Sequence, residues 1–186
     1  MNIAFFIFIV LIAGWLLEWF VYEDTAKKRK GVKKNNLYIK GLLAIMFLCV
    51  ILTSYLLSNV TEGTSNIAKM IGLVLITQGL FIRYWTYFIT KPYFTRMIIP
   101  LENRPLYSDG PFRFTRHPFH TGFFFITLGI GLYISGHWFS IFFSFVFVGT
   151  ALHYYMSLEE NIYTKKYGDI YTYWCRHRFR LLPFLY

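Results

Sequence analysis

The stretch that decides the fold is GPFRFTRHPFHTG at residues 110–122, which runs straight into FFFITLGIGLYISGHWFSIFFSFVFVGTALHYYMSLEEN at 123–161. Two arginines and two histidines crowd a proline, and two long apolar runs follow. An apolar helix needs about 20 residues, at 1.5 Å each, to cross the hydrocarbon core. The runs 118–135 and 137–157 qualify, and the SGH between them leaves room only for a tight turn. They therefore form an antiparallel helical hairpin. Pro118 occupies the first-turn position that proline tolerates, so the fourth helix starts there. Glu159 lies 22 residues after His137, roughly 33 Å along a helix. The acidic LEEN segment, 158–161, must then emerge at the face where TRHP begins, and the basic cluster meets an acidic one.

Working outward, three more runs are long enough to span, at about 3–22, 41–58 and 68–90. The chain of 186 residues is 56% hydrophobic and 22% aromatic with 15% charged, more apolar surface than a soluble domain of this size can hide. The reading is an all-α membrane protein, a single integral domain over 1–186 with five transmembrane helices. Its tail, 158–186, carries a helix that caps the site. The net charge of +10 does not point to nucleic acid, because the basic residues sit between the apolar runs, where they meet lipid headgroups. Seventeen of the nineteen Lys and Arg fall on one side if the N-terminus is outside and the C-terminus cytoplasmic. The first run lacks a basic leader and a small-residue cleavage pattern, so it reads as a permanent span of a prokaryotic cell membrane. Cys49 and Cys175 stand alone, without disulfide or zinc spacing. The oligomeric state stays open.

Arg116 and His117 at a helix N-terminus make an anion pocket, reinforced by the helix dipole and free N–H groups. Glu159 and Glu160 lie about 100° apart on a helix, so one can receive an amine or hydroxyls while the other turns to Lys or Arg. Gly168 should break the tail helix, and tyrosines 163, 167, 171 and 173 with Trp174 form an aromatic cover. An anion end, a cation end and aromatic walls suit a zwitterionic, partly aromatic cofactor. Glu18 and Arg83, the charges inside the first and third runs, read as snorkelling to the interface. His153, before the glutamates, is a candidate lining residue. GIG at 129–131 reads as helix packing in lipid.

The GPFRFTRHP element, the LEEN pair about 40 residues on, and YGDIYTYW at 167–174 resemble the isoprenylcysteine carboxyl methyltransferase and phospholipid methyltransferase group of integral membrane enzymes. GLFIRYWTYFIT at 79–90 is similar to that group's third-span segment. The resemblance implies S-adenosylmethionine bound at the cytoplasmic face, and methyl transfer to a lipophilic acceptor, prenylcysteine-like or lipid-like. It implies cofactor contacts from Arg116, His117, Pro118, Gly122, Glu159, Glu160 and Tyr167. Arg83, Arg113 and Tyr155 are the expected catalytic positions. No metal is implied. His120 stands where the group usually has tyrosine, and Tyr155 where relatives acting on a carboxylate carry arginine, which removes a bidentate partner for that carboxylate. Membrane sterol reductases, which use NADPH, share an R-H-P helix and an end similar to LLPFLY at 181–186, but carry asparagine where this chain has Phe119. That reading ranks second, and a non-enzymatic membrane adaptor third.

Overall fold

A computed structural model describes residues 3–23, 36–60, 64–95 and 105–182. Five long apolar helices carry the fold: α1 (Ile3–Val21), α2 (Asn36–Val60), α3 (Asn66–Thr90), α4 (Pro118–Ser135) and α5 (Phe139–Tyr167), the last containing a π turn at Phe145–Gly149. A short α6 (Asp169–Arg176) follows. No strand occurs among the described residues. The protein is all-α, and each of the five is long and apolar enough to cross a membrane. It is an integral membrane protein. The five helices overlap the five apolar runs and differ from them at their ends. The second helix begins at Asn36, before the apolar run, and α5 continues to Tyr167, ten residues past the expected 157. Its polar extension carries the two glutamates clear of the apolar segment.

Turn chemistry fixes both ends of the last helices. Gly136 has φ +65 and closes α4 in the left-handed conformation, donating its N–H to Leu132 O, a geometry glycine adopts without strain. Gly168 has φ +56 and separates α5 from α6, as the sequence predicts.

The closest packing, however, is not within the hairpin but between α3 and α4. Gly72 and Gly79 are seven residues apart on α3, two turns and so one face. Gly122 and Gly129 repeat that spacing on α4, and the helices run antiparallel with Gly72 against Gly129 and Gly79 against Gly122. A Cβ on Gly72 would lie 2.7 Å from the Gly129 carbonyl oxygen, closer than real carbon contacts permit. In lipid, where apolar burial does not drive helices together, such backbone approach supplies the dispersion contacts that do. Gly131 faces Ser54 and Ser144, so the GIG element is packing, as expected. Phe124 and Leu128 of α4 join Val50 of α2 with Val148, Leu152 and Met156 of α5 in a second core.

Ser65 N–H donates to Gly136 O at one end of the bundle, so the start of α3 and the α4–α5 turn share a face. The ends of α1, α3 and α5 and the start of α4 share the other.

Gly129→Leu is expected to lower the melting temperature of the detergent-solubilised protein by several degrees or abolish folding, while Gly41→Ala, whose Cβ would meet nothing within 4 Å, leaves it unchanged or slightly raised. Thermal unfolding followed by circular dichroism makes the comparison.

Candidate active site

Arg83 lies one turn beyond Gly79 on α3, and its stem passes directly over Gly122, where any Cβ would collide with it. Its guanidinium closes on Glu18 of α1, Nε donating to Oε1 at 2.8 Å and Nη2 to Oε2 at 2.5 Å. Nη1 donates to the Phe119 carbonyl at 3.1 Å, and the guanidinium carbon stands 3.7 Å from the Phe119 ring centroid. Both partners are buried, at 8% and 3% exposure. This corrects the snorkelling expectation: the two charges do not reach for water but neutralise each other, because a bidentate pair with further hydrogen bonds offsets much of the desolvation cost.

The RHP turn is stapled to the tail. Arg116 N–H donates to Phe179 O and Phe179 N–H to Phe114 O, while the Thr121 hydroxyl donates to Leu181 O. His117, 4% exposed, sits between the glutamates, Nε2 at 3.0 Å from Glu160 Oε1 and Nδ1 at 3.3 Å from Glu159 Oε2. Burial alone would lower its pKa, but hydrogen bonds and charges from both glutamates outweigh that and raise it. The imidazolium is therefore complete below the ordinary histidine value of about 6.5 and is lost only as pH rises through the raised value.

The glutamates divide as their angular separation requires. Glu160 also binds Arg116 Nη1 at 3.2 Å and Arg180 Nη2 at 3.0 Å. Glu159 accepts from the Tyr163 hydroxyl at 3.0 Å and lines a cavity of about 420 Å³. One end of that cavity is walled by Arg116, His117, Glu159, Tyr167, Tyr171 and Trp174; the other by Trp15, Leu16, Trp19, Leu43, Ala44 and Phe47 of α1 and α2. Leu16 and Trp19 are 53% and 69% exposed, so the apolar part of the lining reaches the outer surface of the helices. Trp174 Nε1 donates to Tyr107 O at 3.1 Å and anchors the aromatic cover.

Of the expected site residues, Arg83, Arg116, His117, Pro118, Tyr155, Glu159 and Tyr167 line this one cavity. Glu160 stands behind it as the clasp for three cations. Gly122 is buried at the α3–α4 contact, where its lack of a side chain lets Arg83 pass. Arg113 is exposed and off the cavity, because it closes the short 3-10 turn Gly110–Arg113 on its outer side. His153 is also outside, exposed and 3.2 Å from Arg180 Nη1; Tyr173 is 66% exposed and packs on His177 rather than joining the cover. The residues that sequence reasoning missed are Glu18, as the partner of Arg83, and Arg178 and Arg180. Arg178 donates to Phe112 O and Trp174 O, and no spacing rule links such a tail to a turn about 65 residues earlier.

His117, His120 and Glu159 bring one ligand atom each within 4.8 Å of one another. Within the cluster, His117 Nδ1 already faces Glu159 Oε2 at 3.3 Å. Its chemistry is that of a charged clasp holding a carboxylate at the edge of an aromatic chamber.

Residues 70–163, which include α4 and most of α3 and α5, match the model of the isoprenylcysteine carboxyl methyltransferase (ICMT) family. The chain belongs to this family. It is thus a membrane methyltransferase, and the matched segment contains the glycine-packed helices, the RHP turn and both glutamates. No curated protein sequence matches the chain closely.

In this ICMT-family chain, Arg83→Met alone is expected to cost about 3–5 kcal/mol of stability by stranding Glu18 in an apolar setting. The double variant Arg83→Met with Glu18→Leu should recover most of that loss. Denaturant titration of these two variants, the single variant Glu18→Leu and wild type closes the cycle and reads the coupling.

Proposed function

We propose that the chain transfers a methyl group from S-adenosylmethionine to a lipophilic acceptor that enters from the bilayer, with the aromatic end of the cavity at the cytoplasmic face. The observation that carries this reading is one cavity whose lining joins charged and aromatic residues at the helix termini to apolar residues of α1 and α2. A donor that is zwitterionic and partly aromatic fits the first end. Arg116 Nε is buried and has no hydrogen-bond partner among the described residues, an orphaned donor suited to the carboxylate of such a molecule. Glu159, which faces the cavity while Glu160 is neutralised behind it, suits its ammonium or ribose hydroxyls. Tyr167, Tyr171 and Trp174 offer flat faces to its ring and to a sulfonium by cation–π attraction.

When bound, S-adenosylmethionine supplies a methyl group already activated by its sulfonium. The chain has alignment and exclusion of water to provide. His117 holds both carboxylates in place, so Glu159 presents a fixed oxygen to the chamber. The stapled tail closes the chamber on its aqueous side. Trp15, Trp19 and Phe47 accept an apolar chain and leave its head at the level of His120 and Tyr155, between the two ends. A water-soluble acceptor finds no comparable polar cleft among the described residues. The cytoplasmic assignment rests on the basic bias of the sequence, although residues 24–35 of the most basic loop lie outside the described residues.

Purified protein in lipid nanodiscs should bind S-adenosylmethionine and not NADPH in a calorimetric titration. Glu159→Gln should weaken binding roughly 10- to 100-fold by losing a charge-assisted hydrogen bond. Binding of NADPH alone would replace this reading with a reductase, and binding of neither would leave a structural adaptor. For orientation, single cysteines at Thr64 and Thr172, on a background with Cys49 and Cys175 replaced by serine, should behave oppositely. An impermeant maleimide should reach the first from outside intact cells and the second only after permeabilisation; the reverse pattern inverts the topology.

A further inference from the structure

His120 is a titratable side chain in the cavity that the site described above gives no chemical role. It lies on the first turn of α4, lines the cavity, and has no side-chain hydrogen bond among the described residues. Its ring stands 4.7 Å from Tyr155 and edge-on to His117 at 5.7 Å. Tyr155 in turn packs with Ile39 and Leu43 at the apolar end, whereas His117 belongs to the charged end. His120 thus occupies the junction where an acceptor's head meets the donor.

The cations around it are committed. Arg83 is closed on Glu18, Arg116 on Glu160, and His117 lies between both glutamates; Lys40 is on the exposed α2 wall. Their one open donor among the described residues, Arg116 Nε, is the one assigned above to the methyl donor's own carboxylate. A carboxylate acceptor would therefore bring a second negative charge beside Glu159 with none of these three left to neutralise it, which is costly in a low-dielectric chamber. A neutral acceptor carries no such cost, but a hydroxyl or thiol must lose its proton as it becomes methylated, and an alkylammonium must lose one before it can attack.

We propose, resting on the methyltransferase reading above, that His120 is the general base for a neutral, protic group on a lipophilic acceptor, so that this chain methylates such a group and not a carboxylate. As the new bond from the acceptor atom to the methyl carbon forms, the carbon–sulfur bond of the sulfonium breaks and its electron pair stays on sulfur. The acceptor's proton passes to a His120 ring nitrogen and then to water, so charge and atoms balance. The charged or titratable groups sharing the cavity are Glu18, Lys40, Arg83, Arg116, His117 and Glu159, with tyrosines 107, 155, 163, 167 and 171. Of these, His117 imposes the opposite pH sense: its raised pKa predicts an alkaline limb as the clasp loses its proton, whereas a base at His120 gives an acidic limb.

The test uses full-length protein in nanodiscs with labelled S-adenosylmethionine and four amphipaths of equal chain: 4-dodecylphenol, dodecanethiol, dodecylamine and dodecanoate. Transfer to at least one of the first three and not to dodecanoate is expected. His120→Gln should lower kcat by roughly 10²- to 10³-fold and abolish the acidic limb while keeping the alkaline one. Its calorimetric Kd for S-adenosylmethionine should be unchanged, which also shows that the variant is folded. In His120→Ala, added 4-methylimidazole should restore part of the rate. A ¹³C-histidine spectrum should place the titration of the resonance missing in His120→Gln at the midpoint of the acidic limb. Transfer to dodecanoate, transfer to none of the four by protein that binds the donor, or a His120→Gln profile like wild type would overturn the proposal. Failure of wild type to bind S-adenosylmethionine would overturn the underlying reading itself.

Discussion

A guanidinium among apolar helices must meet an anion, and the closing of Arg83 on Glu18 is the constraint on which the remaining architecture depends. Helix α1 packs mainly on α3 and leaves most of its surface outward, so the ion pair, together with Tyr84 O–H to Gly14 O and Tyr87 O–H to Val21 O, decides where it docks. The same guanidinium reaches across to the Phe119 carbonyl and covers its ring. It can do so only because Gly122 has no side chain. One residue thus joins α1, α3 and the first turn of α4, and the turn it grips is the one that presents His117 and His120. Buried pairs are seldom worth more than well-packed apolar replacements. What this pair fixes is the placement of α1 against α3, beside the cavity that both residues line.

Around the RHP turn, the electrostatics separate two adjacent carboxylates that composition alone would treat as equal. Glu160 is enclosed by Arg116, His117 and Arg180, a neutralised anchor tying the tail to α5. Glu159, one residue earlier and about 100° around the helix, keeps an aspect on the cavity. Buried His117, at 4% exposure, faces both, and the two anions outweigh its desolvation and raise its pKa. The membrane boundary is a suitable place for this arrangement, because charged groups there have both apolar walls and each other.

Much of the fold was legible because it follows from length and pattern. Pro118 marked the start of α4, Gly136 and Gly168 the breaks, and the distance from His137 to Glu159 brought two distant segments to one face. The division of labour between the glutamates also followed from helical geometry, though not which took which part. The limits are equally physical. Whether Glu18 and Arg83 snorkel or pair depends on the crossing of α1 over α3, which no local rule specifies; only their placement toward the same ends of their helices hinted at it. Gly122 read as part of a binding motif because its motif neighbours are in the site, yet its role is steric and made in the α3–α4 contact. Arg113 shares the 3-10 turn that leads to the site and still points away, since three residues per turn set it about 120° around from buried Phe112. The tail's staples to residues 112–121 join segments with no common periodicity.

The central claim is that one cavity joins a methyl-donor chamber at the helix termini to an apolar slot open to lipid. A structure in lipid with S-adenosylhomocysteine and a dodecyl-chain amphipath tests it most directly. The account predicts nucleoside density against Tyr167, Tyr171 and Trp174 with Glu159 in contact, alkyl density between Trp19 and Phe47, and the amphipath's head beside His120. Nucleoside density outside the tail-covered chamber, or an alkyl chain entering anywhere but between α1 and α2, would contradict it.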